Sequence, residues 1–101
     1  MRVKAIVAYD GTDEGALDRR LAVREAHLKL AKEMLGEGKW LYACGILDDD
    51  ERLVGSMIVC DFSSRDEMAQ QWLKKEPYMV GNVWQTVKIH RALVPQILTE
   101  R

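Results

Sequence analysis

The sequence predicts an α+β domain in which a four-stranded antiparallel sheet carries two helices on one face. Along the chain, apolar residues recur with the period of a strand in some segments and with the period of a helix in others. Turn or capping residues separate these segments. The elements follow in the order βαββαβ, which with right-handed crossovers gives the ferredoxin-like arrangement. A chain of 101 residues with 48% hydrophobic residues suits one compact domain, so we assign residues 1–101 to a single domain.

The first two elements are a strand and a long helix. Val3–Asp10 is an apolar, β-branched run that ends at Gly11, as expected of a strand. Apolar residues then recur at helical spacing over residues 17–37, and Gly36 and Gly38 end the helix. The predicted core-facing stripe of this helix consists of Leu17, Leu21, Leu28, Ala31 and Leu35.

A hairpin, a second helix and a last strand follow. Trp40–Leu47 and residues 52–62 are predicted strands around an acidic turn. Ser64 and Glu67 form a capping box for a second helix, which the following Pro77 closes. The last strand is expected at residues 83–93, with a short helical turn in the tail beyond it.

The strands carry apolar residues on both faces of the sheet. Strand one places Val7 and Ile6 on opposite sides, and strand three is apolar at both parities from Val54 to Cys60. Two helices can cover only one face, and an antiparallel sheet with a solvated face alternates more cleanly. We therefore predict a homodimer that packs through the open sheet face.

Composition argues against several classes of partner. The 15 basic and 16 acidic residues nearly cancel, so the net charge of −1 predicts no binding of nucleic acid or of an anionic membrane. The sequence has neither a run of roughly 20 apolar residues nor a signal-peptide core, which predicts a cytoplasmic protein. Cys44 and Cys60 are expected to be free thiols packed in the core.

A row of basic residues interrupts the apolar arc of the first helix. Arg20, Arg24 and His27 stand at i, i+4 and i+7, between the leucine stripe and a second apolar cluster. Because buried cations are costly unless paired, they either meet internal carboxylates or line a cavity. Such a cavity would suit an anionic or phenolate ligand, with His27 as the proton-transfer group.

Asp10 and Ser56 are the polar residues predicted to complete this site. Asp10 ends the strand beside the first helix and could fix the tautomer of His27, and the Ser56 hydroxyl could bind ligand or simply pack. We find no nucleophile elbow, phosphate loop or zinc motif. The sequence therefore predicts neither a metal site nor an organic cofactor.

The same residues resemble a known family. The stretch from Arg20 to Leu28 resembles the helix-one signature of the YCII-related (YciI-like) proteins. The similarity continues, in the same order, at Gly55-Ser56, Glu76-Pro77-Tyr78 and Gly81-Asn82-Val83. It covers nearly the whole chain.

The resemblance implies a dimeric α/β barrel with a His/Asp active site and no metal or organic cofactor. The histidine falls on His27, Asp10 is assigned as its partner, and Tyr78 joins the substrate-binding residues. A similar member is a dehydrochlorinase of a chlorinated hydroxyhydroquinone. The family usually has Asp before the Pro-Tyr pair, and Glu76 stands there in this chain, which leaves the role of this carboxylate open.

These patterns favour a small cofactor-independent enzyme. His27 would act as general acid/base, Asp10 would orient it, and Arg20 or Arg24 would hold an anionic group. Elimination, dehydrochlorination or isomerisation of a small anionic or aromatic molecule fits these roles. A non-catalytic small-molecule-binding or accessory protein and a purely structural module, with the basic row paired internally, are the alternatives.

Overall fold

The computed structural model describes residues 3–99 and contains the predicted sheet. The four strands pair only antiparallel, in the order β2-β3-β1-β4, which confirms the ferredoxin-like arrangement. The strands are β1 Val3–Asp10, β2 Trp40–Leu47, β3 Leu53–Asp61 and β4 Trp84–Arg91. The helices are α1 Ala16–Gly36, α2 Arg65–Gln71, α3 Pro77–Val80 and α4 Gln96–Thr99, with a 3₁₀ turn at Leu73–Lys75.

The second helix begins where the sequence predicts but ends earlier. The backbone N–H of Glu67 donates to the Ser64 hydroxyl at 3.0 Å, and the Glu67 carboxylate accepts from the backbone of Ser63 at 3.1 Å. The helix breaks at Trp72, whose backbone leaves helical geometry, and a 3₁₀ turn follows. Pro77 opens α3 and does not close α2, because proline fits the first turn of a helix, where its missing N–H costs nothing.

Helix α1 is rotated relative to the prediction from its periodicity. Leu17, Leu21, Leu28 and Leu35 are 43–54% exposed, so the leucine stripe does not form the core. The buried face consists of Ala16, Arg20, His27, Leu30 and Met34. At about 100° per residue this face lies roughly a quarter turn from the leucines. Two buried polar contacts, described below, hold the helix in this orientation.

The core lies between the sheet and the helices and is rich in aromatic rings. Trp40 and Trp72 meet edge to face with centroids 5.1 Å apart, and Trp72 stacks on Phe62 at 6.2 Å. Tyr78 and Trp84 complete the group at a separation of 5.7 Å. The aromatic core therefore reaches the part of α1 that carries His27.

The opposite face of the sheet is uncovered and is apolar along β1, β2 and β3, whereas β4 contributes Thr86, Lys88 and His90 to it. Register places directly paired residues on the same face, so Val7 lies beside Met57 and Ala5 beside Val59. Tyr9 and Tyr42 are 44% and 62% exposed, and both belong to this face. Within residues 3–99 no helix combines the length and the apolar composition that crossing a membrane requires.

The two cysteines are free but differ in environment. Cys60 is fully buried, and burial raises the pKa of its thiol to about 11. Cys44 pairs with Met57 and is exposed. The prediction of two core cysteines is therefore wrong for Cys44, because its pairing with Met57 places it on the uncovered face of the sheet, in the edge strand β2.

Candidate functional site

Arg20 and Asp10 form a buried ion pair. Arg20 Nε and Nη2 donate to the two Asp10 oxygens at 2.6 and 3.1 Å, and the side chains are only 4% and 2% exposed. Nη2 also donates to the Gly55 carbonyl at 2.8 Å and to the Ser56 hydroxyl at 2.9 Å. Glycine is required at position 55, since a Cβ atom there would lie 2.4 Å from the carbonyl oxygen of Ala8.

The predicted pairing of Asp10 with His27 is wrong. Both oxygens of Asp10 accept from Arg20, whereas Nδ1 of His27 contacts Glu76. The reason is geometric. Asp10 ends β1 close to the first turns of α1, where it meets Arg20. His27 lies seven residues after Arg20, which is a rise of about 10 Å along the helix axis.

His27 and Glu76 form the second buried pair. Nδ1 of the imidazole hydrogen-bonds to Oε1 of Glu76, a residue with no exposed surface, while His27 is 9% exposed. Since Nδ1 is engaged, Nε2 is the ring nitrogen left for a ligand. A carboxylate in this position fixes the imidazole tautomer and stabilises an imidazolium.

Two further hydrogen bonds hold the Glu76 carboxylate in place. Its Oε2 accepts from the indole N–H of Trp72 at 2.8 Å, and its Oε1 accepts weakly from the backbone of Tyr78 at 3.4 Å. The second of these bonds makes Glu76 the N-cap of α3, whose first residue is Pro77. Glu76 is therefore a fixed carboxylate, and an acidic residue before a helix-opening proline is the sequence signal that could have indicated it.

Tyr78 connects the two buried pairs. Its ring stacks on the His27 imidazole with centroids 3.9 Å apart, and the Arg20 guanidinium lies 4.6 Å from the ring centroid. Burial raises the pKa of the Tyr78 hydroxyl, an effect that the nearby charges of Arg20 and Arg24 partly oppose. At neutral pH the hydroxyl is protonated and can donate a hydrogen bond.

A cavity of about 290 Å³ opens between α1 and strands β2 and β3. The predicted site residues that line it are Arg20, Arg24, His27, Ser56 and Tyr78. Asp10 does not line this cavity but a different one beside the loop after β1, and it is joined to the site only through its ion pair with Arg20. Among residues 3–99 no cluster of three or more His, Cys, Asp or Glu side chains is spaced to hold a metal ion.

The polar residues of this cavity differ in what they can offer a ligand. The Ser56 oxygen already accepts from Arg20 and from the Trp84 indole at 3.2 Å, and Arg24 is exposed. Trp40 also lines the cavity, and the sequence prediction missed it. A single tryptophan at the start of a strand gives no pattern that separates a cavity-lining residue from a core residue. The site thus combines a fixed imidazole, a protonated phenol and one exposed guanidinium.

Fold and site together define a ferredoxin-like α+β protein with a buried imidazole–carboxylate pair beside an open cavity. The chain matches the family model of the YCII-related domain over residues 3–92. It is 32% identical over 90 residues to Protein YciI of Escherichia coli O6:H1 and of Shigella flexneri, covering 83% of this chain and 89% of each relative. The chain therefore belongs to the YCII-related family.

A solved structure also shares the fold. It is 5-chloro-2-hydroxyhydroquinone dehydrochlorinase from Burkholderia phenoliruptrix in complex with 2,5-dihydroxybenzoquinone, with a TM-score of 0.77 and 19% identity. The similarity covers 94% of this chain and 97% of that one. At this identity the comparison establishes the fold alone.

Proposed function

We propose that this protein is a cofactor-independent enzyme that moves a proton on a small anionic or aromatic molecule. His27 is the general acid/base, and Glu76, in place of the predicted Asp10, orients it. The observation that carries the proposal is the contact of His27 Nδ1 with a fully buried carboxylate beside a cavity. A carboxylate-oriented imidazole without a neighbouring nucleophile suits proton transfer and not covalent catalysis.

The neutral imidazole carries its proton on Nδ1, where it donates to Glu76, and its Nε2 lone pair accepts a proton from the ligand. The resulting imidazolium is stabilised by the carboxylate and can return the proton to another ligand atom. General acid/base catalysis of this kind contributes roughly 10²–10⁴ to a rate. The protonated Tyr78 hydroxyl supplies a donor close to the imidazole.

Dehydrochlorination of a hydroxylated ring is the reaction that we propose first. We choose this substrate class because the dehydrochlorinase from Burkholderia phenoliruptrix has the same fold. In 5-chloro-2-hydroxyhydroquinone, two hydroxyl protons leave oxygen, one proton is delivered to the ring carbon that loses chlorine, and chloride departs. The net loss is HCl, and the product is a hydroxyquinone, so no external oxidant is needed. A group that accepts a proton from oxygen and delivers one to carbon is sufficient, and His27 has both roles.

The imidazole arrangement can be tested by NMR because the chain contains only two histidines. In protein labelled with ¹⁵N-histidine, we expect His27 to be protonated at Nδ1, and its Nε2 signal to move when 2,5-dihydroxybenzoquinone is added. The exposed His90 serves as the internal control and should not respond. An Nδ1 atom that carries no proton would contradict the proposed role. So would an Nε2 chemical shift of His27 that does not change when the quinone is added.

We also propose that the protein is a homodimer through the open sheet face. Along β1, β2 and β3 this face carries contiguous apolar side chains that the helices, which lie on the other face, do not cover, and burying them against a second sheet is favourable. Light scattering at micromolar concentration should report twice 11.6 kDa. Val7→Arg, in the middle of this face, should give a folded monomer. A monomeric unaltered protein would refute the proposal.

A further inference from the structure

We propose that Arg24, and not Arg20, binds the ligand's charged group, and that the ligand is an amphipathic anion whose apolar part packs against the exposed leucines of α1. This inference rests on the proposed site and specifies what enters it. It follows from the charges of the buried pairs, from the position of Arg24 and from the composition of the cavity wall.

The charge of Arg20 is already balanced inside the protein. Asp10 accepts from two of its nitrogens, and Gly55 and Ser56 accept from Nη2 as well. An anion that recruited Arg20 would compete with a buried carboxylate, and breaking such a pair is strongly unfavourable. His27 is likewise paired with Glu76. Neither pair contributes a net positive charge to the cavity when His27 is protonated.

Arg24 is the cation that the cavity has in excess. It lies one helical turn after Arg20 and one before His27, it lines the cavity, and it is exposed. Within residues 3–99 it makes no hydrogen bond or ion pair. Arg24 and Tyr78 line the same cavity. A ligand anion placed there would receive donors from both Arg24 and Tyr78.

The apolar part of the ligand is inferred from the rest of the wall. On α1, the cavity continues from His27 along Leu28, Ala31 and Leu35, and Leu28 and Leu35 are half exposed. The facing wall, from β2 and β3, consists mainly of small and apolar side chains: Ala43, Gly45, Leu53 and Ile58. A cation at one end and apolar walls at the other fit a ligand with an anionic head and an apolar body.

The three tryptophans of the chain allow this to be tested without turnover. Trp40 lines the cavity, and its indole N–H has no acceptor within residues 3–99, whereas the N–H groups of Trp72 and Trp84 donate to Glu76 and Ser56. Titration with 2-naphthoate, followed by ¹H–¹⁵N correlation spectra, should shift the Trp40 signal to saturation. Arg24→Gln should weaken 2-naphthoate about tenfold, as expected for loss of a charge-assisted contact.

An anionic and a neutral probe of similar shape, with matched variants, separate the contribution of charge to the binding affinity from that of apolar contact. The neutral 2-naphthalenemethanol should bind more weakly than 2-naphthoate and with the same affinity in the unaltered protein and in Arg24→Gln. Leu28→Asn should weaken both probes, and Lys29→Gln, which removes an exposed cation from the opposite face of α1, should change neither.

The inference is overturned if Arg24→Gln binds 2-naphthoate as tightly as the unaltered protein, if the neutral probe binds equally well, or if the Trp40 signal does not move. A different result would refute the proposed enzyme while leaving this inference intact. Binding that depends on Arg24 in a protein that catalyses no proton transfer would refute the enzyme and support this ligand class.

Discussion

Replacing Asp10 with Asn is expected to destabilise the protein by about 3–5 kcal/mol, because it leaves the buried Arg20 guanidinium without its counter-charge. The side chains of this pair are 2% and 4% exposed, so water cannot compensate the lost interaction. Chemical denaturation followed by tryptophan fluorescence measures the change. Of the two possibilities that the sequence left open for the basic row, pairing with an internal carboxylate therefore holds for Arg20.

A matched control lies three residues further along the chain. Asp13 also accepts from an arginine, Arg19, at 2.7 Å, and the hydrogen bond lowers the pKa of its carboxyl to about 2, but both partners are solvent-accessible. Exposed ion pairs add little to stability because water and salt screen them. Asp13→Asn should therefore barely move the unfolding midpoint. Equal effects of the two substitutions would contradict the structural role assigned to the Asp10–Arg20 pair.

The second large effect is expected from His27→Gln. Glutamine can keep a hydrogen bond to Glu76 but cannot accept and return a proton near neutral pH, so we expect chloride release from 5-chloro-2-hydroxyhydroquinone to fall roughly 10²–10⁴-fold. The melting temperature should change much less than in Asp10→Asn. His90→Gln, the same change at a histidine outside the cavity, should leave the rate unaltered in protein that light scattering shows to be dimeric, since His90 lies on the open sheet face.

The relation between stability and rate decides between the enzyme and a structural module. A His27→Gln protein that melts normally but has lost turnover supports general acid/base catalysis. A protein that has lost stability and kept turnover per folded molecule would show that the imidazole only fills the core.

The sheet could be predicted from the sequence because its signals are local. The apolar runs of β1 and β2 end at glycine or acidic turns, and both strands have the predicted bounds. The capping box at Ser64 specifies a helix start through one backbone hydrogen bond. Such features depend on residues within a few positions of one another, and tertiary contacts do not override them.

The rotation of α1 could not be predicted in the same way. Periodicity favours burial of the leucines, but Arg20 and His27 each meet a carboxylate from elsewhere in the chain, and satisfying those two polar groups turns the helix. The partner of His27 is 49 residues away, and sequence spacing carries no information about that distance. The histidine itself was identifiable because a basic residue in an apolar arc requires an explanation.

The most direct test of the account is chloride release by the unaltered protein. Under anaerobic conditions, which prevent spontaneous oxidation of the substrate, it should release chloride from 5-chloro-2-hydroxyhydroquinone without added metal or organic cofactor and faster than a protein-free control. The rate should depend on His27 and on Glu76. A protein that binds 2,5-dihydroxybenzoquinone beside His27 but releases chloride no faster than the protein-free control would contradict the proposed enzyme and indicate a small-molecule-binding protein.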